Sequence, residues 1–275
     1  MRFFRGMALR NRRSLIASQQ LITLNFQLRS TNVMILMYHH VCPIAEVPVA
    51  EERRSIEGWE YNLGPEDFAF QLESLRRRKF RFVTLDEYVR QAVESDRGSG
   101  KMVAVTFDDG WRDNYDHALP VLTRLGIPAT FFVVSGSMAG VAAERRMTPP
   151  MLREMAANGM EIGAHTRTHP NLATLSDDHL DDEIGGCKAD LEEILGQSVR
   201  FLAYPGGRFN DAVVRCVQRH GFRAACSVIP SGRNDPSARY RLSRDVFTPQ
   251  MNTWRDRILL VPGGRWFWRT AKGLI

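Results

Sequence analysis

Along the middle of this 275-residue chain, short apolar runs alternate with stretches whose apolar residues recur at helical spacing. The runs predict strands at Val33–Tyr38, Phe80–Val83, Met102–Val105, Ala129–Val134, Glu161–Ala164, Phe201–Tyr204 and Arg223–Ser227. Continuous apolar runs of this length mark strands buried on both faces. Between them lie the helices. Pro65 suits a first helical position, Phe68, Leu72 and Leu75 share a face, and Arg76–Lys79 suit the negative end of the dipole. Thr84–Glu87 is a capping box opening a helix to about Val93. Ala118, Val121, Leu122 and Leu125 predict a third helix despite Pro120, and Thr148–Asn158 a fourth. Leu180, Ile184, Cys187, Leu191 and Leu195 line one face of a fifth, opened by Ser176. Asn210 caps a sixth, running to His220 and stopped by Gly221. Residues 42–62 and 135–147 read as loops.

Strand then helix, repeated about six times, means parallel strands with helices outside. In such folds functional groups collect at the carboxyl ends of the strands. His39, Asp108, Asp109, His165 and Tyr204–Gly207 each follow a predicted strand.

Composition changes this picture little. Hydrophobic residues make up 44% and charged residues 25%, as in an ordinary globular protein. The net charge of +6 is concentrated at the ends. Residues 1–45 carry six arginines and no acid, and 254–275 carry five basic residues and one acid. The stretch between holds 26 basic against 30 acidic residues, which argues against nucleic acid as a substrate. Cys42, Cys187, Cys216 and Cys226 show no C-x-x-C spacing and read as free thiols, which leans towards a reducing compartment. No apolar run is long enough to span a bilayer, and Leu15–Ala17 and Leu21-Ile22 are split by Ser-Gln-Gln, a poor signal-peptide core. These features predict a protein of the cytoplasm or the inner membrane face.

Thr106-Phe107-Asp108-Asp109-Gly110 closes a strand with two adjacent carboxylates and a glycine. Either this is a plain turn, or a cation compensates two charges that are costly to bury together. His165 and His169 stand four residues apart just after another strand. Two imidazoles and a carboxylate form an open metal site with room for water and substrate. One aspartate would then bind the metal, and the other would take a proton from its water, whose pKa the cation lowers from about 15.7 towards about 7. Those parts suit hydrolysis of an amide or ester. His117 and His179, in predicted helices, and His220, at a helix end, read as structural.

The Thr106–Gly110 and His165–His169 stretches, with Tyr204-Pro205-Gly206-Gly207 after them, resemble the polysaccharide deacetylase family (the NodB-homology domain, carbohydrate esterase family 4). The flanks Gly110–Tyr115, Ala118–Leu122 and Ile127–Phe132 are typical of it, and the likeness covers about 33–247. The resemblance implies an α/β fold, a distorted (β/α) barrel in a single domain at 33–250, between a basic arm (1–32) and a basic aromatic tail (251–275). It implies a metal-dependent hydrolase removing N-acetyl groups from amino sugars of a glycan. Asp108 matches the base. Asp109, His165 and His169 match the ligands of a divalent metal, usually zinc. Gly206 matches the residue whose N–H stabilises the oxyanion, with Tyr204 and Pro205 beside it.

There are two departures. Many members carry an arginine that steadies the base, where this chain has Ala203. Arg200 would face the opposite side of its strand; Arg244 is the candidate in its place, and an ordinary surface arginine is the other reading. Many members also end in a Leu-x-His-Asp motif whose histidine protonates the leaving amine, but here no histidine follows His220. The opening strand instead ends Tyr38-His39-His40-Val41, similar to the permuted poly-N-acetylglucosamine deacetylases, whose terminal strand has moved to the N-terminus. His39 is then the acid and His40 takes the aspartate's place; the alternative is a His39 that only packs under the barrel rim. Two other functions stay open. One is a deacetylase or deformylase of a lipid-linked amino sugar, with Arg265-Trp266-Phe267-Trp268-Arg269 touching the membrane. The other is a non-catalytic glycan-binding protein on the same fold.

Overall fold

The computed structural model describes residues 33–43, 45–46, 61–95, 100–138, 143–228 and 234–246. Within them eight strands form one parallel sheet: β1 (Val33–Tyr38), β2 (Arg81–Val83), β3 (Met102–Phe107), β4 (Ala129–Val133), β5 (Glu161–Ala164), β6 (Phe201–Ala203), β7 (Ala224–Cys226) and β8 (Asp245–Val246). Their order is β7-β6-β5-β4-β3-β1-β8, with β2 also on β3. β3 is buried along its whole length. One edge pairs with β1 from Val33↔Met102 to Tyr38↔Phe107. Its other edge is shared, β2 taking Met102–Ala104 and β4 taking Val105–Phe107.

The short stretch 242–246 connects the two ends of this sheet. Leu242 bridges Cys226 at the end of β7, and Asp245-Val246 pairs with Leu36-Met37 of β1. The sheet is thereby curled, as expected of a distorted (β/α) barrel. Side chains alternate between its two faces, as the pleat requires. Tyr38, Phe107 and Phe131 stack on the outer face, where Phe68 meets Tyr38 edge-on. Met102, Ala104, Phe132 and Ala203 face the inner core, which is filled by Leu85, Tyr88, Val89 and Val93. By the same alternation Asp108 leaves β3 on the inner side, over the open end.

The helices are α1 (Pro65–Arg77), α2 (Leu85–Tyr88, continuing as a π-helical turn Val89–Val93), α3 (Leu119–Leu125), α4 (Pro149–Ala157), α5 (Asp177–Leu180), α6 (Cys187–Leu195) and α7 (Asp211–Arg219). Their ends follow local chemistry. Thr84 accepts the Glu87 N–H at the start of α2, Asn210 accepts the Val213 N–H at the start of α7, and Gly126 closes α3 at φ 60°.

Three segments differ from the sequence pattern. The third helix begins at Arg112 rather than Ala118, through a π-helical turn Asn114–Ala118, because its polar residues serve the end of β1 instead of the core. The fifth is broken by a π-helical turn, Asp181–Gly186. There Gly185 meets the His220 ring and Gly186 the Arg167 guanidinium so closely that a Cβ would lie 2.2 and 2.5 Å away. The loop 135–147 contains two 3₁₀ turns, Ser135–Met138 and Ala143–Arg145. All four cysteines are buried free thiols, and no helix among the described residues is long and apolar enough to cross a membrane. Val33–Phe247 form one compact unit; the arm 1–32 and the tail 251–275 lie outside the described residues.

Candidate active site

The structure gathers Asp108, Asp109, His165 and His169 at the carboxyl ends of β3 and β5. Asp109 Oδ1 lies 3.4 Å from His165 Nε2 and 3.5 Å from His169 Nε2. These three groups present converging ligand atoms. His165 Nδ1 meets the Ala203 carbonyl at 2.8 Å. A carbonyl only accepts, so Nδ1 carries the hydrogen and Nε2 is the ring atom turned towards Asp109. Asp109 is held from behind. Its Oδ2 accepts the Trp111 indole N–H at 3.0 Å, and its carbonyl accepts Arg146 Nη1 at 2.5 Å. The Arg146 guanidinium stacks on Trp111, 3.5 Å from the ring centre. Nε2, Nε2 and a carboxylate oxygen, with His165 and Asp109 each oriented by a further bond, are a donor set that fits a divalent ion.

Asp108 is turned to a different partner. Arg244 Nη1 and Nη2 donate to its Oδ1 and Oδ2 at 2.7 Å each. Arg244 is itself 1% exposed and also reaches Thr106 Oγ1 (3.2 Å) and the Ser227 carbonyl (3.3 Å). Arg200, by contrast, pairs with Asp86 at the other end of the sheet. Burial works against the Asp108 charge, but Arg244 and then His165 outweigh it and hold the carboxyl below its ordinary range. For Asp109, too, burial opposes ionisation. The hydrogen bond from His165 and the positive potential of the three histidines overcome it, again lowering the pKa. His165 is raised overall, since Asp108 and Asp109 exceed the effect of its burial.

His39 follows β1 and stacks on Tyr61, ring centres 4.9 Å apart. Its Nδ1 is buried and without a hydrogen-bond partner among the described residues. Burial lowers its pKa despite the opposing pull of Asp109 and Asp108. His40 is buried, with Nδ1 2.5 Å from Asp113 Oδ2 and its ring against Trp111. Gly206 is exposed at φ 57°. Pro205 is buried, and Tyr204 is buried with its hydroxyl donating to the Tyr240 carbonyl at 2.9 Å. The Tyr204 side chain therefore belongs to the scaffold.

Sequence reasoning did not single out Asp113, Trp111 or Arg146. All support the site from helices or turns, where a polar residue carries no periodic signal. Two other donor groups occur among the described residues. In Cys42–Glu46–His117, burial first, then Asp113 and Glu46, push the thiol up to about 12. In Asp181–Cys216–His220, Arg219 already occupies the shared carboxylate oxygen. In both clusters burial keeps the thiol protonated rather than ready as a thiolate ligand.

A curled parallel sheet with carboxylates and imidazoles at the carboxyl ends of its strands is the layout of a (β/α)-barrel enzyme. Residues 95–225 match the model of the polysaccharide deacetylase family. It is 25% identical to the poly-beta-1,6-N-acetyl-D-glucosamine N-deacetylase of Staphylococcus epidermidis, over 70% of this chain and 72% of that one. It is 31% identical to the peptidoglycan-N-acetylglucosamine deacetylase of Bacillus cereus, over 50% of this chain and 59% of that one. Among solved structures, the Streptococcus pyogenes deacetylase PplD, in complex with acetate, superposes with a TM-score of 0.69 at 27% identity, covering 80% of this chain and 93% of that one.

Proposed function

We propose that this enzyme removes N-acetyl groups from the amino sugars of a poly-N-acetylglucosamine-type glycan, using a divalent metal, zinc first among candidates, held by Asp109, His165 and His169. The observation that carries this reading is the division of labour between adjacent carboxylates. Asp109 faces the histidines, whereas Asp108 is bound in bidentate fashion by Arg244. A bound divalent ion supplies Lewis acidity to a water and to the acetyl carbonyl. Asp108 stays ionised and oriented by Arg244, and each of its oxygens keeps a lone pair beyond that bond. It takes the proton of the attacking water. The Gly206 N–H donates to the oxyanion that develops on the acetyl carbonyl oxygen. His39 protonates the departing amine.

The test combines metal content with acetate release from N-acetylglucosamine oligomers. Wild type, Asp108→Asn and His39→Ala are expected to hold stoichiometric metal, and His165→Ala to lose it. Turnover should fall by about 10²–10⁴-fold in Asp108→Asn. Near-wild-type turnover in that variant would show that Asp108 is not the base. Full metal with no acetate from any oligomer would move the substrate to a lipid-linked amino sugar, or the function to glycan binding. Membrane contact through 265–269, and a place in the cytoplasm or at the inner membrane face, are further parts of the proposal. Fractionation with and without residues 254–275 tests them.

A further inference from the structure

The two histidines are carried on a loop whose shape its own sequence disfavours. Thr166 has φ 67° and His169 has φ 63°, both in the left-handed region that side chains avoid, a β-branched one most of all. Such residues persist only when their surroundings over-determine them. The surroundings come largely from one helical stretch. Glu183, 8% exposed on the π-helical turn Asp181–Gly186, points its carboxylate into the loop. Its Oε2 accepts the N–H groups of Arg167 and Thr168, both at 2.9 Å, and its Oε1 accepts the Thr168 hydroxyl at 2.6 Å. Arg167 and Thr168 are the residues between the two left-handed positions. Outside the loop, Arg167 donates to Asp190 at 2.7 and 2.8 Å. Thr166 Oγ1 closes the loop by accepting the His169 N–H at 3.0 Å.

We propose that Glu183 is a positioning residue for the metal pair: its carboxylate holds the two peptides between His165 and His169 so that both Nε2 atoms converge on Asp109. This rests on the reading that these residues bind a divalent ion. No step of the proposed hydrolysis uses Glu183. A buried carboxylate is costly unless its lone pairs are occupied, and here the occupants are the loop's own donors. Without the Glu183 carboxylate the Arg167 and Thr168 N–H groups lose their acceptor, and the left-handed residues can relax.

Reach and charge are separable by substitution. Glu183→Gln keeps the reach: its amide oxygen can accept both N–H groups, and its NH₂ can face a turned Thr168 hydroxyl. Glu183→Asp keeps the carboxylate but withdraws it by one methylene. The measurement is the zinc dissociation constant of the full chain, by competition with a chelating dye and without substrate. Thermal unfolding of the zinc-free proteins reports the fold. Glu183→Asp is expected to weaken zinc about 10–100-fold, while Glu183→Gln stays close to wild type. At saturating zinc, kcat should recover in Glu183→Asp with KM for the glycan unchanged. Wild-type affinity in Glu183→Asp, or equal weakening in Glu183→Gln, overturns the inference, the second because it assigns the effect to charge. If Glu183→Asp does not fold, Thr168→Val decides in the same assay: a smaller weakening supports the inference and none overturns it. A wild-type protein that binds no zinc overturns the metal reading itself, a distinguishable result.

Discussion

Asp109 has φ 73°, and four groups surround it there: the Trp111 indole on Oδ2, Arg146 on its carbonyl, and the two imidazoles at Oδ1. A ligand carboxylate restrained from behind binds a metal more tightly than a free one, because its orientation is set before binding. Trp111→Phe keeps most of the ring that packs on Arg146 and His40 and removes only the N–H. It is expected to weaken zinc about 10–100-fold while leaving the glycan KM unchanged at saturating metal. Chelator competition reads the first and kinetics at high zinc the second; unchanged zinc affinity would show that the indole bond is incidental. At this scale the legible residues were those whose types are costly without a purpose. Asp108, Asp109, His165 and His169 stand in short motifs after apolar runs. Trp111 and Glu183 sit among ordinary helix-compatible neighbours, and only three-dimensional contact shows what they touch.

Element by element, the strands were readable because burial on both faces leaves a continuous apolar run. The helix over 112–125 was readable only in its apolar half. Its first turns hold Asp113 against His40 and the Asn114 side-chain N–H on the His39 carbonyl, so polar duty erased the periodic signal. β8, only two residues long, has no pattern to read. The loop after β6 shows how an element is tuned by single positions. At Gly207, with φ 67°, an added Cβ would lie 2.2 Å from Val228 Cγ2 and 3.0 Å from its backbone N. At Gly206, with φ 57°, the nearest atom is 3.9 Å away. Gly206→Ala should therefore cost only the left-handed strain of about 1–2 kcal/mol, and Gly207→Ala distinctly more, in denaturant titrations. Equal costs would mean that Val228 gives way freely.

Glu161 makes a comparable test at the opposite end of β5. Its Oε2 accepts the Leu85 N–H at the start of α2 and the Thr130 hydroxyl, and so ties the inner plug to the sheet. Burial pushes its carboxyl above the ordinary range, against the pull of Thr130, Leu85 and Arg200. A carboxyl raised in the folded state binds its proton more tightly there than in the unfolded chain. Its contribution is thus full below the ordinary value of 4.5 and is lost as pH rises through the folded pKa. Glu161→Gln, which keeps an acceptor and cannot ionise, should gain stability relative to wild type between pH 4 and pH 7. Denaturant titrations at the two pH values check this, and a pH-independent difference would contradict it.

At the scale of the whole molecule, the proposed base and its partner come from distant parts of the chain. Asp108 and Arg244 are 136 residues apart, and their pairing depends on the last described stretch running from β7 to β1. The same few residues close the sheet and bring the Arg244 guanidinium onto Asp108. Sequence alone left Arg244 undecided between surface and site, because nothing near it in the chain announces a barrel edge; the choice is made by Leu242 seating on Cys226 two residues earlier. Removing this cation leaves Asp108 buried without compensation, so Arg244→Met should cost about 3–5 kcal/mol of stability. Arg244→Lys restores a charge but not the two parallel donors that fix the carboxylate plane. It should fold and keep its zinc, yet lose about a hundredfold in kcat, the scale of loss expected when a reacting group is misplaced by about 1 Å. Turnover, zinc content and unfolding measured on the same two variants separate these effects. Wild-type kcat in Arg244→Lys would mean that a point charge suffices and that the bidentate geometry serves folding alone.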